Sequence, residues 1–477
     1  MDWLRALLGR RGPTPAGGWS GPGRLAALGA RPPAWAAAGV GGAQSAAAAD
    51  AEWLAIVAPG FAPTPHALAV LGEALAADAD VDVVFGDETG PDGHWHKPGW
   101  SPALLLAQPY VVGLFVVRRE LAAAVGGLGG DGPAAQYDLA LRATAAARRV
   151  RHVPVVLGRA ATPAAPTPAH AEAAGRAAAA MGLCAAIAPG PHAAALRVSV
   201  RPAQATPLTV VVPTRDRLEL LRPCVQSVLA TSGPHVRVHI VDNGSVEPAT
   251  LAWFAELRAE GRVSIRRDDG PFDYAALMNR AVAACATPHV LLLNNDTKVI
   301  SKGWLDELAG WLDRPDVAAV GAKLYYADDT VQHAGVLVGV GGVASHGHKQ
   351  FARDAAGYHG LLHSVRDVSA STGACLLVRR DEYLAVGGMA GELRVAYNDV
   401  DLCLRLRARG RRIVWTPHAE LHHFEGRSRG TDKVRTARFE AEIAYMRAHW
   451  PDALAADPFY NPNLSDRHTD YRLRTRA

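Results

Sequence analysis

Two acidic residues in the second half of the chain stand where carboxylates can do chemistry. Asp296 closes Leu293-Asn-Asn-Asp296, directly after the strand-like run His289 to Leu293. A carboxylate at the end of a buried strand rests on a rigid element and can hold a divalent cation. The same position also suits a turn, or the N-cap of a helix beginning near Ser301. Asp399 lies in Tyr397-Asn-Asp-Val-Asp-Leu-Cys-Leu-Arg405, at the start of an apparent helix. There a carboxylate can take a proton as a general base, or complement the positive end of the helix dipole. Asp401, two residues on, cannot share its helical face. His422-His423 offers an imidazole to a cation, and neighbouring side chains point differently, so one of the pair would serve. Gly339-Val-Gly-Gly-Val-Ala344 matches a dinucleotide-binding fingerprint. However, Ser345-His-Gly-His-Lys349 follows where that motif needs a helix.

These residues need a scaffold, and the chain predicts one. Leu208 to Val212 reads as a buried strand stopped by Pro213, Leu218 to Leu229 as a helix, and Val236 to Val241 as a second strand ending at Asp242-Asn-Gly-Ser245. A helix over Ala249 to Ala259, a short strand over Val263 to Ile265, a helix over Tyr274 to Ala284 and a strand over His289 to Leu293 follow. This alternation predicts an α/β domain with a doubly wound, mostly parallel sheet. Such sheets bind ligands at the carboxyl ends of their strands, where Thr214, Asp242 and Asp296 fall.

The chain has 477 residues, enough for two or three domains. With 50 basic and 46 acidic residues its net charge is +4, too mild to indicate nucleic acid. The five cysteines are scattered without a C-x-x-C pair, which argues against a disulfide framework or a zinc site and for a reducing compartment. No signal peptide is evident, and the most apolar run, Pro102 to Val117, is too short to span a bilayer. A cytoplasmic protein is expected, with peripheral contact at the inner face of the plasma membrane left open.

An internal repeat divides the chain. Val117-Arg-Arg-Glu120 returns as Val378-Arg-Arg-Asp381, Gly126-Gly127 as Gly387-Gly388, and Asp138-Leu-Ala-Leu-Arg142 as Asp401-Leu-Cys-Leu-Arg405. The first copy lacks the polar residues: Ala58-Pro-Gly60 stands in place of Asn294-Asn-Asp296, and where the second copy has Asn398-Asp399 the first has Gln136 beside Tyr137. It reads as a degenerate, non-catalytic domain.

Taken in order, Val211-Val-Pro-Thr-Arg-Asp216, Val241-Asp-Asn-Gly-Ser245, Pro271-Phe-Asp-Tyr274 with Asn279-Arg280, and Leu293-Asn-Asn-Asp-Thr297 form a specific series. Gln332-His-Ala-Gly335, Tyr397-Asn-Asp-Val-Asp401, His423 with Ser428-Arg-Gly430, and Asp457-Pro-Phe-Tyr-Asn-Pro-Asn-Leu464 continue it. The series resembles the family-2 glycosyltransferases of GT-A fold, in particular the bacterial members that build O-antigen, rhamnan and other surface polysaccharides. The resemblance implies an inverting hexosyltransferase that moves a sugar from a nucleotide-diphosphate donor to a carbohydrate or lipid-linked acceptor. It places Pro213, Thr214, Asp242, Asn279, Asn294 and Asn295 at the nucleotide-sugar site. It also makes Asp296 and His423 ligands of Mg or Mn, and Asp399 the general base. Asn294 departs from the usual first acid of the metal motif. dTDP-rhamnose is the donor suggested by the subgroup, with UDP- and GDP-sugars open.

The expected layout is a poorly ordered segment over 1–50, a degenerate partial GT-A-like domain over 51–165 and a connecting segment over 166–205. The catalytic GT-A domain, Rossmann-like, covers 206–435, and a C-terminal helix and tail cover 436–477. The competing readings are a non-catalytic sugar-nucleotide-binding scaffold, a nucleotidyltransferase and a dehydrogenase. Thr214-Arg-Asp-Arg217 lacks the glycine-rich loop the second would show, and the third rests only on Gly339 to Ala344.

Overall fold

The computed structural model describes residues 35–38, 51–91, 93–130, 132–160, 165–259, 261–424 and 433–475. Most of the 1–50 segment and Ser428-Arg-Gly430 therefore lie outside the described residues. The chain forms two units, Met1–Trp100 with Pro109–Ala173, and Ser101–Gln108 with Ala174–Ala477.

In the first unit the strands are β1 (Trp35–Ala38), β2 (Trp53–Val57), β3 (Ala62–Pro63), β4 (Val81–Gly90), β5 (Gly93–Trp95), β6 (Leu114–Arg118) and β7 (Arg149–Arg159). They form one sheet in the order β1-β2-β6-β4-β7-β3, with β5 beside β4. One side of it packs on helix Ala67–Ala76 through Leu68, Leu71 and Leu75. β1 is the described part of the 1–50 segment. Its short Trp-Ala-Ala-Ala sequence carries no hydrophobic period, and it is held by parallel backbone pairing with Trp53–Ile56.

The second unit begins with the hairpin β8 (Cys184–Pro189) and β9 (Leu196–Arg201). Next come β10 (Leu208–Thr214), β11 (Val236–Asp242), β12 (Val263–Arg267), β13 (His289–Leu293) and β14 (Thr297–Val299). β15 (Val317–Tyr325), β16 (Val331–His333), β17 (Val336–Val338), β18 (Ala344–His346), β19 (Arg366–Asp367), β20 (Cys375–Arg379) and β21 (Arg412–His423) complete it. The main sheet runs β12-β11-β10-β13-β20-β15-β21-β14. Every residue of β10 and β13 is buried, as befits strands covered on both faces. Helix Tyr274–Ala284 packs there through Leu277, Met278 and Val282, and starts where Asp273 Oδ1 accepts the Ala276 N–H.

β12, β11, β10 and β13 form a continuous parallel run, and β15 and β21 are also parallel to each other. β20 inserts antiparallel to both β13 and β15, so the second half of the sheet is mixed. The expected connecting segment is also built into the second unit from Ala174 on. The Val200 N–H donates to Glu307 Oε2 at 3.0 Å. Gly310 lets the strand approach, since a Cβ there would sit 2.8 Å from the Arg201 backbone.

The sequence repeat is a repeat of topology. β13-β20-β15-β21 has the senses of β2-β6-β4-β7: antiparallel, antiparallel, parallel. β10 lies parallel beside β13 as β1 does beside β2. Val117 pairs with Leu54 and Val83, and Val378 with Val290 and Ala319. Val290 and Ala319 each follow their counterparts by 236 positions, but Val378 follows Val117 by 261. The second copy therefore carries 25 additional residues between β15 and β20, the stretch that contains the β17–β18 hairpin.

Candidate active site

A cavity of about 220 Å³ opens in the second unit at the carboxyl end of β13. Asn294, Asp296 and His423 line one part, Thr372 to Ala374 with Asp399 another, and Phe272, Tyr274 and Tyr397 a third.

The first part is assembled by sheet register. β14 pairs antiparallel with β21, setting Thr297 opposite His423. The tight turn before it is held by the Asn294 N–H donating to Ala374 O (3.0 Å) and the Thr297 hydroxyl donating to Asn294 O (2.9 Å). His423 Nε2 then lies 3.2 Å from both Asp296 Oδ1 and Asn294 Nδ2. The other ring nitrogen, Nδ1, is 2.7 Å from Gln332 Oε1, while the Gln332 amide donates to His423 O at 3.2 Å. That reciprocal pair fixes the amide, so Nδ1 must donate to it. In a neutral ring the lone pair of Nε2 then faces Asp296. His422 turns away, with Nε2 2.7 Å from Asp329 Oδ1.

Asp399 is the second residue of helix Asn398–Ala408. Its Oδ2 accepts the Gly373 N–H at 2.7 Å and its Oδ1 the Val400 N–H at 2.8 Å, which fix the carboxylate against the cavity wall. Asp401 has a different task. It is buried, pairs with Arg405 at 2.6 Å and accepts the Trp450 indole N–H at 2.9 Å.

The remaining sequence-derived residues do not all gather here. Asn295 donates to Thr214 Oγ1 at 2.9 Å, joining β13 to the end of β10. Pro213 and Thr214 are register partners of Val241 and Asp242 at the adjacent strand end. The Asp242 carboxylate accepts the Ser245 N–H at 2.8 Å and meets Arg267 Nη1 at 3.1 Å. These four lie outside the lining of the 220 Å³ cavity. Asn279 too lies outside that lining, and its side chain is committed to the turn after Ala385. Its Oδ1 accepts the Tyr383 hydroxyl (2.6 Å) and the Met389 N–H (2.8 Å), and its Nδ2 donates to Met389 O. Helical periodicity cannot reveal a partner 110 residues away. Gln332 was missed as a site residue, although Gln332-His-Ala-Gly335 stood out as a motif. Gly339 to Ala344 joins β17 to β18 as a hairpin with positive φ at Gly339, Gly341 and Gly342, unlike a dinucleotide loop.

In the first unit the frame is present without the site. Gln136, at the place of Asp399, donates its amide to Val57 O at 2.7 Å. Asp138 and Arg142 repeat the Asp401–Arg405 pair at 2.8 Å.

Residues 205–444 match the family described as Glycosyltransferase like family 2. This chain belongs to that family. It is 40% identical over 438 residues to an uncharacterized protein, y4gI, of Sinorhizobium fredii, covering 86% of this chain and 48% of that one. It is 37% identical over 434 residues to the O-antigen biosynthesis protein RfbC of Myxococcus xanthus, covering 86% of this chain and 34% of the relative. The chain thus spans half or less of the length of these two relatives. Among solved structures, GalNAc-T7 with UDP, GalNAc and Mn2+ aligns with a TM-score of 0.42 at 12% identity, over 52% of this chain and 49% of that one. Among the described residues no helix is long and apolar enough to cross a membrane.

Proposed function

We propose that this chain transfers a sugar, with inversion, from a nucleotide-diphosphate donor to a carbohydrate or lipid-linked acceptor in the synthesis of a cell-surface polysaccharide. The observation that carries this reading is that Asp399 and the Asp296–His423 pair line one cavity. In one step, Asp399 takes the proton of the acceptor hydroxyl as its oxygen attacks the anomeric carbon. The bond from that carbon to the diphosphate oxygen breaks, and its electron pair leaves with the diphosphate. Asp399 is already oriented for this by the Gly373 and Val400 N–H groups.

The donor set at the other end fits a divalent cation. It offers one carboxylate, one imidazole whose lone pair is fixed by Gln332, and one amide whose half-turn presents its oxygen. Asp296 and His423 would hold Mg or Mn there, and the cation would supply charge neutralisation of the leaving diphosphate. Thr214, Asp242 and Asn295 lie at the neighbouring strand ends, the side on which we place the nucleoside. The name of the Myxococcus relative supports surface-polysaccharide synthesis. dTDP-rhamnose is the first donor to try, followed by UDP- and GDP-sugars. The first unit, with Gln136 at the base position, is proposed to be non-catalytic.

The test is thermal-shift binding across UDP-, GDP- and dTDP-sugars with Mn, Mg or chelator, followed by turnover of the binding donor. Asp399→Asn is expected to keep the shift and lose turnover by about 100- to 10,000-fold. Full activity in that variant would overturn the assignment of the base.

A further inference from the structure

Besides Asp399, the cavity carries an aromatic wall of Phe272, Tyr274 and Tyr397. Two short segments build it, and they are tied to each other. The Tyr274 N–H donates to Arg394 O at 2.9 Å, and Asp273 Oδ2 accepts from Arg394 Nε at 2.8 Å. The Tyr274 hydroxyl donates to Gly373 O at 3.3 Å, on the residue whose N–H holds Asp399. Helix Lys433–His449 braces the wall from another direction. Its buried Glu442 accepts the Val395 N–H at 2.9 Å, and its Phe439 stacks on the Tyr397 ring at 5.7 Å and 23°.

Two features of this wall point beyond packing. Phe272 is 49% exposed, a large apolar ring left to solvent while lining the cavity. Tyr397 has φ 59° and ψ 3°, a left-handed backbone that strains an aromatic residue. It occupies the N-cap of helix Asn398–Ala408 without making a side-chain cap bond, so capping does not offset that strain. Strain of this kind collects at functional sites.

An inverting displacement brings the attacking hydroxyl to the anomeric carbon from the side opposite the leaving diphosphate. With the diphosphate at the Asp296–His423 end, the acceptor arrives at Asp399, against this wall. A sugar ring carries apolar C–H faces between its hydroxyl-bearing edges, and an aromatic face laid on one of them removes apolar surface of both from water.

We propose that Phe272 and Tyr397 form a stacking platform for the terminal sugar ring of the acceptor, so that the acceptor is a saccharide. The inference rests on the donor site and base proposed above. A lipid phosphate or a peptide hydroxyl has no such face beside its attacking oxygen.

The experiment takes the full chain with a donor that binds it. Methyl glycosides of glucose, galactose, mannose and rhamnose are offered as acceptors, beside undecaprenyl phosphate and a serine-rich peptide. It measures kcat and both KM values for wild type, Phe272→Ala, Phe272→Trp and Tyr397→Gly. Phe272→Ala is expected to raise the KM of a glycoside by about two- to tenfold, the scale of one aromatic contact, with the donor KM retained. Phe272→Trp is expected to restore it. Tyr397→Gly, which suits the left-handed backbone, is expected to raise the same KM. Phe272 is exposed, so its variants are the primary test, and a retained thermal transition verifies folding. A donor-binding wild type that uses only undecaprenyl phosphate or the peptide, or none of these acceptors, overturns this inference alone. So does a Phe272→Ala variant that keeps the glycoside KM, or raises the donor KM equally. A folded wild type that binds no nucleotide sugar overturns the donor-site reading and this inference with it.

Discussion

The imidazole of His423 is clamped by the side-chain amide of Gln332, at 2.7 Å through Nδ1, although 91 residues separate them. That bond directs Nε2 at Asp296. Partners of this kind typically contribute 10- to 100-fold to metal affinity. Gln332→Ala is therefore expected to weaken Mn binding by about that factor, read by titration calorimetry with a nucleoside diphosphate present. Unchanged affinity would remove His423 from the metal site.

Asn279 separates a structural role from a ligand role. Asn279→Ala leaves the Tyr383 hydroxyl and the Met389 N–H without their acceptor. A cost of about 1–3 kcal/mol is expected, seen as a lower denaturant midpoint with donor affinity unchanged. A loss of donor affinity at full stability would return Asn279 to the binding site.

Glu307 predicts a pH dependence of stability. Its carboxyl accepts from the Val200 N–H, the Thr416 hydroxyl and the Trp311 indole, yet burial pushes it from 4.5 up to about 7. Between those values the folded state binds the proton and the unfolded state does not, so stability falls as pH rises. The loss amounts to about 3 kcal/mol from this group, complete above pH 7. Glu307→Gln should flatten that slope in urea titrations from pH 4.5 to 7.5, whatever it does to the absolute stability. An unaltered slope would refute the assignment.

Gly321→Ala should destabilise by about 1–3 kcal/mol through overpacking, because its Cβ would overlap Ser371. Ser371→Gly in the same chain should recover most of that loss. A melting temperature insensitive to either change would show that the strand relaxes.

The parallel half of the sheet was legible because its signals are local. The fully buried apolar runs of β10 and β13 and the Asp273-capped helix have the expected periods, and Asp296 and Asp399 fall at element ends. The insertion of β20 between β13 and β15 is non-local and leaves no periodic trace. Nor does the pairing of Gln332 with His423, which lie 91 residues apart on different strands. β1 escaped because three of its four residues are alanine.

The position of β20 also bears on how the chain is made. Its neighbours β13 and β15 both leave the ribosome first. At roughly 5–20 residues per second, the stretch from Leu293 to Arg379 takes about 4 to 17 s to synthesise. During that interval the apolar strand β13 has an open edge with nothing yet made to zip into it. The first unit meets the same delay with β6, which follows β2 and β4 yet lies between them. Nascent chains stalled before Cys375 are thus expected to be chaperone clients, and chains stalled well beyond Arg379 to be released.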